Sequence, residues 1–289
     1  MIAAVTGGTG FIGSALVAAL RRGGFSEIRV MSRSNKGNLL TDDLRPFVDG
    51  ADVLFHCAGE LRREEAMRAL HVEGTRRLVE AARGRVRRWV QLSSVGAYGL
   101  SQREGTVDER SSLAPQGEYE TTKVESDALV EHAFPCITLR PSIVFGPGMP
   151  NRSLYQLVSM VQRGLFFFVG TGAIANYVYV DDVADALLAC AMHPRAAGTY
   201  VLSDDRPMEA FIAAIGGKRR PPTVPEWAAR GVATLAGWLP GFPLTRSRVD
   251  ALSRRVRYSP ARIQRELGYA FRVSIEEGLR RLVASRAAA

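Results

Sequence analysis

Short apolar runs alternate with helix-length stretches through the first half of the chain. Ile2, Ala4 and Val5 begin the first run, and "EIRVMS" (Glu27 to Ser32), "DVLFHCAG" (Asp52 to Gly59), "RWVQLSS" (Arg88 to Ser94) and "CITLRPS" (Cys136 to Ser142) follow it. Strand-like runs separated by helical stretches imply parallel strands joined by crossover helices, so the pattern predicts an α/β fold with a doubly wound sheet. The rhythm loosens after "FGPGMPNRS" (Phe145 to Ser153), and "GGKRRPPTVP" (Gly216 to Pro225) reads as a loop from its Gly, Pro and charge content. Residues 1–150 are therefore expected to form the main domain, and residues 151–289 a smaller lobe partly interleaved with it.

The junction of the first strand and the first helix is unusual. "AVTGGTGFIGSAL" places four glycines in the seven positions Gly7 to Gly13, before a helical stretch at Ser14 to Leu20. Glycine weakens regular structure, so a cluster of this kind marks a place where bare backbone is needed. Free N–H groups at a helix start attract phosphate, and glycine lets a pyrophosphate approach without meeting a β-carbon. The stretch reads as a dinucleotide-binding turn; a tight turn without a ligand is the alternative.

Composition narrows the setting. The chain has 289 residues, 46% of them hydrophobic, and a formal net charge of +9, which argues against disorder and asks about an anionic partner. The basic clusters at Arg83 to Arg88, Lys218 to Arg220 and Arg254 to Arg257 are not interleaved with stacking aromatics, so they read as solvated faces and no nucleic acid is expected. Cys57, Cys136 and Cys190 are far apart in apolar surroundings, which suits reduced thiols and no metal site. No basic leader precedes the first strand, so a cytoplasmic location is expected.

Chemistry concentrates after the later strands, in "QLSSVGAYG" (Gln91 to Gly99) and "EYETTKVESD" (Glu118 to Asp127). Tyr119 and Lys123 are four residues apart, which on a helix stacks them on one face. A tyrosine acting as acid and base near neutral pH needs its pKa lowered from about 10, a change worth about 4 kcal/mol. A neighbouring ammonium and a cationic ring both act in that direction.

Taken in order, "TGGTGFIG", "DVLFHCAG", "HVEGTRRLVEAA", "LSSVGAYG", the Tyr119 to Lys123 pair, "LRPSIVFGPG", "YVYVDDVADAL" and "ELGYAFRVSIEEGL" resemble the motifs of the extended short-chain dehydrogenases/reductases of the NAD-dependent epimerase/dehydratase kind. The resemblance implies a Rossmann-type sheet with a C-terminal substrate lobe, and hydride transfer between a nicotinamide and a hydroxyl/carbonyl pair. It implies Ser94, Tyr119 and Lys123 as the catalytic group, with Tyr119 as acid/base and Lys123 holding the nicotinamide ribose. Cofactor contacts implied in the same way are Gly7, Gly10, Phe11, Ile12, Gly13, Arg33, Ala58, Gly59, Ser93, Pro141 and Ile143, besides Tyr119 and Lys123.

Departures from the family pattern refine these expectations. Where an NAD-preferring member carries an acid after the second strand, this chain has Ser32, Arg33 and Lys36, which suits a 2′-phosphate and points to NADP, with NAD as the alternative. His71 stands where the family commonly has asparagine, and Ala175 where sugar-nucleotide enzymes carry a diphosphate-gripping arginine. Val224 to Val249 resembles the 3β-hydroxysteroid-dehydrogenase-like branch, and Trp227, Leu235, Trp238, Leu239 and Phe242 are candidates for an apolar pocket, a membrane contact or lobe core. The chain is thus expected to act on a small or lipophilic molecule as a monomer or homodimer. A nucleotide-sugar epimerase or 4-ketoreductase is the alternative, and a dinucleotide-sensing regulator a second one.

Overall fold

In the computed structural model, residues 1–99, 102–217, 221–236 and 245–287 are described. Six strands form one parallel sheet: β1 (Ile2–Thr6), β2 (Glu27–Met31), β3 (Val53–His56), β4 (Arg88–Leu92), β5 (Cys136–Pro141) and β6 (Gly198–Leu202). Their spatial order is β2-β1-β3-β4-β5-β6, so the winding direction reverses between β1 and β3. Open α/β sheets bind ligands outside the carboxyl ends of their strands at such a reversal. Residues 33–52 supply no strand; they form short helical turns at Arg33–Asn35 and Arg45–Val48, leaving β2 as the sheet edge.

The period-2 geometry of a strand sends alternate side chains to opposite faces. Ala3, Val5, Val53, Phe55, Val90 and Leu92 meet the helices α1 (Phe11–Arg22) and α4 (Val180–Met192), which contribute Leu16, Leu20, Val183 and Leu187. On the other face Ala4, Leu54 and Trp89 pack with α2 (Gly74–Ala82) and α3 (Glu118–Ala133) through Leu78 and Val130. α1 is longer than the Ser14 to Leu20 stretch expected: Gly10, in extended conformation, caps it, so Phe11 to Gly13 are already its first turn.

The second half of the chain contributes α4 and β6 to this domain and builds a second core around Phe145, Val158, Phe211, Ile212, Leu279 and Leu282. That core joins α5 (Met208–Ile215) to the C-terminal helix α7 (Ile275–Ala287), while α6 (Glu226–Ala236) packs through Ala229 and Ala233 in a smaller cluster. Asp182 fastens the C-terminal segment: its carboxylate accepts from the N–H groups of Arg272 (2.7 Å) and Val273 (3.3 Å), and its carbonyl accepts from the Tyr269 hydroxyl at 2.8 Å. Within the expected loop at residues 216–225, Thr223–Val224 pair with Phe168–Val169. Lys218 to Arg220 lie outside the described residues.

Candidate active site

The glycine turn closes tightly on the segment that follows β3. Gly7 has φ +68°, and a β-carbon there would lie 2.8 Å from the backbone of Ala58; one at Gly13 would lie 2.1 Å from the Gly7 carbonyl oxygen. Gly7 and Gly13 thus let β1, α1 and the segment after β3 approach one another. Gly10 is looser, its β-carbon meeting only the Gly7 oxygen at 3.1 Å. No side chain caps α1, and the first N–H groups of a helix have no partner within it, a natural place for a phosphate.

Beside this turn lies a cavity of about 540 Å³, lined among others by Gly7, Gly10, Arg33, Ala58, Gly59 and Glu60. Its size falls within the usual range for a small-molecule site. Of the expected cofactor contacts it gathers Gly7, Gly10, Arg33, Ala58 and Gly59, whereas Phe11, Ile12, Gly13, Ser93, Pro141, Ile143, Tyr119 and Lys123 are not in its wall. The Ser93 hydroxyl is buried and donates to Asp127 Oδ2 at 2.6 Å.

Glu60 was not anticipated. Its Oε1 accepts the N–H groups of Leu61 and Arg62, and its Oε2 accepts from Arg63 at 2.9 Å and Arg33 at 3.2 Å. Burial acts to raise its pKa, but the Arg63 guanidinium, the backbone N–H groups and Arg33 outweigh it and hold the carboxyl at about 2. The Glu60 N–H donates to His71 Nε2 (2.9 Å), so His71 carries its proton on Nδ1 and donates it to Thr122 Oγ1 at 2.8 Å. The Thr122 hydroxyl donates in turn to the Glu118 carbonyl at 2.7 Å. Burial, followed by the Lys123 charge, pushes His71 down to about 4 and keeps it neutral. His71 therefore braces the cavity wall against α3, the helix that presents Tyr119 and Lys123, and its ring meets Tyr119 edge-on at 5.7 Å.

On α3, Tyr119, Lys123 and Asp127 share one face at i, i+4 and i+8. Lys123 is buried and donates from Nζ to the Leu92 carbonyl, 2.6 Å away at the end of β4. Burial pushes its ammonium below the usual value, with the Asp127 carboxylate opposing. Asp127 also pairs with Arg140 at 3.3 Å, both buried. Ser94 Oγ accepts the Gly96 N–H at 3.1 Å, which leaves its own proton to donate. The expected lowering of Tyr119 is absent from the chain by itself. Burial pushes its phenol up to about 12, the carboxylates of Glu120 and Asp127 add to the rise, and the Lys123 ammonium is turned to Leu92.

On the lobe side, Ala175 is buried in the apolar core, and Arg206, opposite it in the strand pair, is held by Asp204 at 2.6 Å. Trp227 and Leu235 are 79% and 78% exposed, so they do not belong to the lobe core. Trp238, Leu239 and Phe242 lie outside the described residues. Among the described residues, no helix is long and apolar enough to cross a membrane.

A parallel sheet whose glycine turn, cavity and Ser-Tyr-Lys segments lie at the carboxyl ends of its strands defines a dinucleotide-dependent oxidoreductase fold. The chain belongs to the NAD-dependent epimerase/dehydratase family, whose model matches residues 3–203. It is an NAD(P)-dependent enzyme of the extended short-chain dehydrogenase/reductase type. It is 29% identical to the 4-hydroxy-2-methyl-3-oxo-4-farnesyl-3,4-dihydroquinoline-1-oxide ketoreductase of Stigmatella aurantiaca, over 95% of this chain and 93% of that one. With the 2-alkyl-3-oxoalkanoate reductase of Stenotrophomonas maltophilia it shares 30% identity over 98% and 99%. The fold also matches RMD from Pseudomonas aeruginosa complexed with NADPH, with a TM-score of 0.72 and 19% identity over 100% and 99% of the two chains.

Proposed function

We propose that this enzyme interconverts a carbonyl and a hydroxyl on a lipophilic small molecule, with NADP as its preferred dinucleotide. The observation that carries the substrate class is Ala175, a buried apolar residue at the position where the resemblance puts the diphosphate-gripping arginine of sugar-nucleotide enzymes. The two reductases just described, whose names give a farnesylated quinoline oxide and an alkylated oxoalkanoate as substrates, support the same class. Arg33, on the cavity wall after β2, supports NADP.

The residues present fit a dinucleotide. Gly7, Gly10 and the first turn of α1 would take the pyrophosphate, and Lys123, with one of its three N–H bonds on Leu92, has donors left for the ribose hydroxyls. When bound, the nicotinamide supplies or accepts the hydride. Tyr119 gives its proton to the substrate oxygen in reduction, and Ser94 donates a hydrogen bond to that oxygen as negative charge builds on it. Oxidation of the alcohol reverses both.

Turnover tests the reading. NADPH oxidation followed by absorbance should respond to long-chain 3-oxo acids and apolar ketones, and not to UDP- or dTDP-sugars. Tyr119→Phe should lose about 10²- to 10⁴-fold in rate while still binding the dinucleotide. Faster NADPH oxidation with a 4-keto sugar nucleotide would make the protein a 4-ketoreductase. The appearance of the epimeric sugar nucleotide by chromatography, which involves no net NADPH oxidation, would make it an epimerase, and parental activity in Tyr119→Phe would remove tyrosine from the mechanism.

A further inference from the structure

Two arginines from different loops meet on a single oxygen. Arg33 follows β2 and Arg63 follows β3, and both donate to Glu60 Oε2 in the wall of the cavity. Their own side chains are 66% and 56% exposed, so the guanidiniums reach solvent and the space in front of that wall. The carboxylate, by contrast, is buried and fixed through its other oxygen by the N–H groups of Leu61 and Arg62. The loop that bears Arg33 is braced as well: Asn35 Oδ1 accepts from the Ser32 N–H (2.8 Å), Asn35 Nδ2 donates to the Val30 carbonyl (2.7 Å), and Ser34 Oγ donates to Thr9 Oγ1 in the glycine turn (2.7 Å).

Resting on the NADP reading above, we propose that Arg63 is a second ligand for the 2′-phosphate beside Arg33, and that Glu60 competes with that phosphate for both guanidiniums. A guanidinium fork suits phosphate as well as carboxylate. The phosphate brings close to two negative charges where Glu60 has one, so the arginines turn to it when it arrives. Arg63 thereby adds to discrimination against NADH, and Glu60 subtracts from it. Glu60 is ionised while the two arginines hold it, and the second ionisation of the phosphate, at about pH 6, sets how strongly that group competes.

Calorimetric dissociation constants for NADPH and NADH, with 2′,5′-ADP and 5′-AMP as probes of the phosphate alone, test this on the full chain. Arg63→Gln should weaken NADPH and 2′,5′-ADP by about tenfold or more, the scale of a lost hydrogen bond to a charged group. It should leave NADH and 5′-AMP within twofold, which also shows that the variant is folded. Arg63→Lys should recover part of the loss. Glu60→Gln keeps an oxygen for the two backbone N–H groups but turns an amide N–H₂ toward the arginines, so NADPH should bind several-fold more tightly with NADH unchanged. If the parent prefers NADPH and Arg33→Gln abolishes the preference, but Arg63→Gln keeps it, the second ligand is refuted. Unchanged or weaker NADPH binding by Glu60→Gln refutes the competition. A parent that binds NADH as well as NADPH overturns the NADP reading itself, and this inference with it.

Discussion

Tyr119 has a phenol that its surroundings push to about 12 in the dinucleotide-free chain. The neutral form is the one reduction needs, because it holds the proton to be delivered; oxidation needs the anion. With the pKa raised, the folded chain keeps the proton through neutral pH and loses it only in strong base, and a cationic nicotinamide ring acts to lower the value. Difference absorbance at the phenolate band should therefore show no ionisation attributable to Tyr119 below about pH 10 in the free protein, the model range for tyrosine. Saturating NADP⁺ should bring one phenolate to lower pH in the parent and none in Tyr119→Phe. A phenolate already present near pH 8 in the free protein, and missing from Tyr119→Phe, would show that Lys123 lowers the tyrosine without help. The sequence pattern assigns the lowering to Lys123 and the cationic nicotinamide ring together. What it could not carry is the direction of a long flexible side chain, which ends on the Leu92 carbonyl.

At the scale of elements, the strand–glycine–helix unit was legible because each of its requirements is local: an apolar run, glycines where backbones touch, then a helix. The glycines are not equivalent, however. An added β-carbon at Gly13 meets the backbone of Gly7 and Gly8, at 2.1 Å from the Gly7 oxygen, whereas at Gly10 it meets one oxygen at 3.1 Å. Gly13→Ala should cost about 1–3 kcal/mol, the usual cost of overpacking, and should lose dinucleotide binding because the turn must open. Gly10→Ala should stay close to the parent in stability. Thermal melts with calorimetric titration separate the two, and equal melts for both variants would contradict this ranking. Glu60, Arg63 and the His71–Thr122 brace were not legible in the same way. Arg33 reaches Glu60 from the loop after another strand and Thr122 reaches His71 from α3, 51 residues away, and no short-range pattern marks such meetings, although Arg63 is only three residues from Glu60. The two-residue pairing at Thr223–Val224 depends likewise on tertiary neighbours.

For the whole molecule, the sheet and the lobe are tied by residues distant in sequence. Asp182→Ala would strand the N–H groups of Arg272 and Val273 and should destabilise by about 1–3 kcal/mol, the cost of leaving buried donors unpaired. Because α4 packs on the sheet and its Asp182 holds the C-terminal segment, the loss should appear as one shifted unfolding transition by both circular dichroism and tryptophan fluorescence; two separated transitions would mean that the lobe melts alone. The returning strand has a further consequence during synthesis. A nascent chain that already contains the glycine turn and α3 still lacks β6, so β5 stands as an open edge until residues 198–202 have left the ribosome. An unpaired, apolar strand edge is a template for another chain. The aggregation-prone species is thus the half-made polypeptide, and pauses in translation ahead of β6 lengthen the time it is exposed.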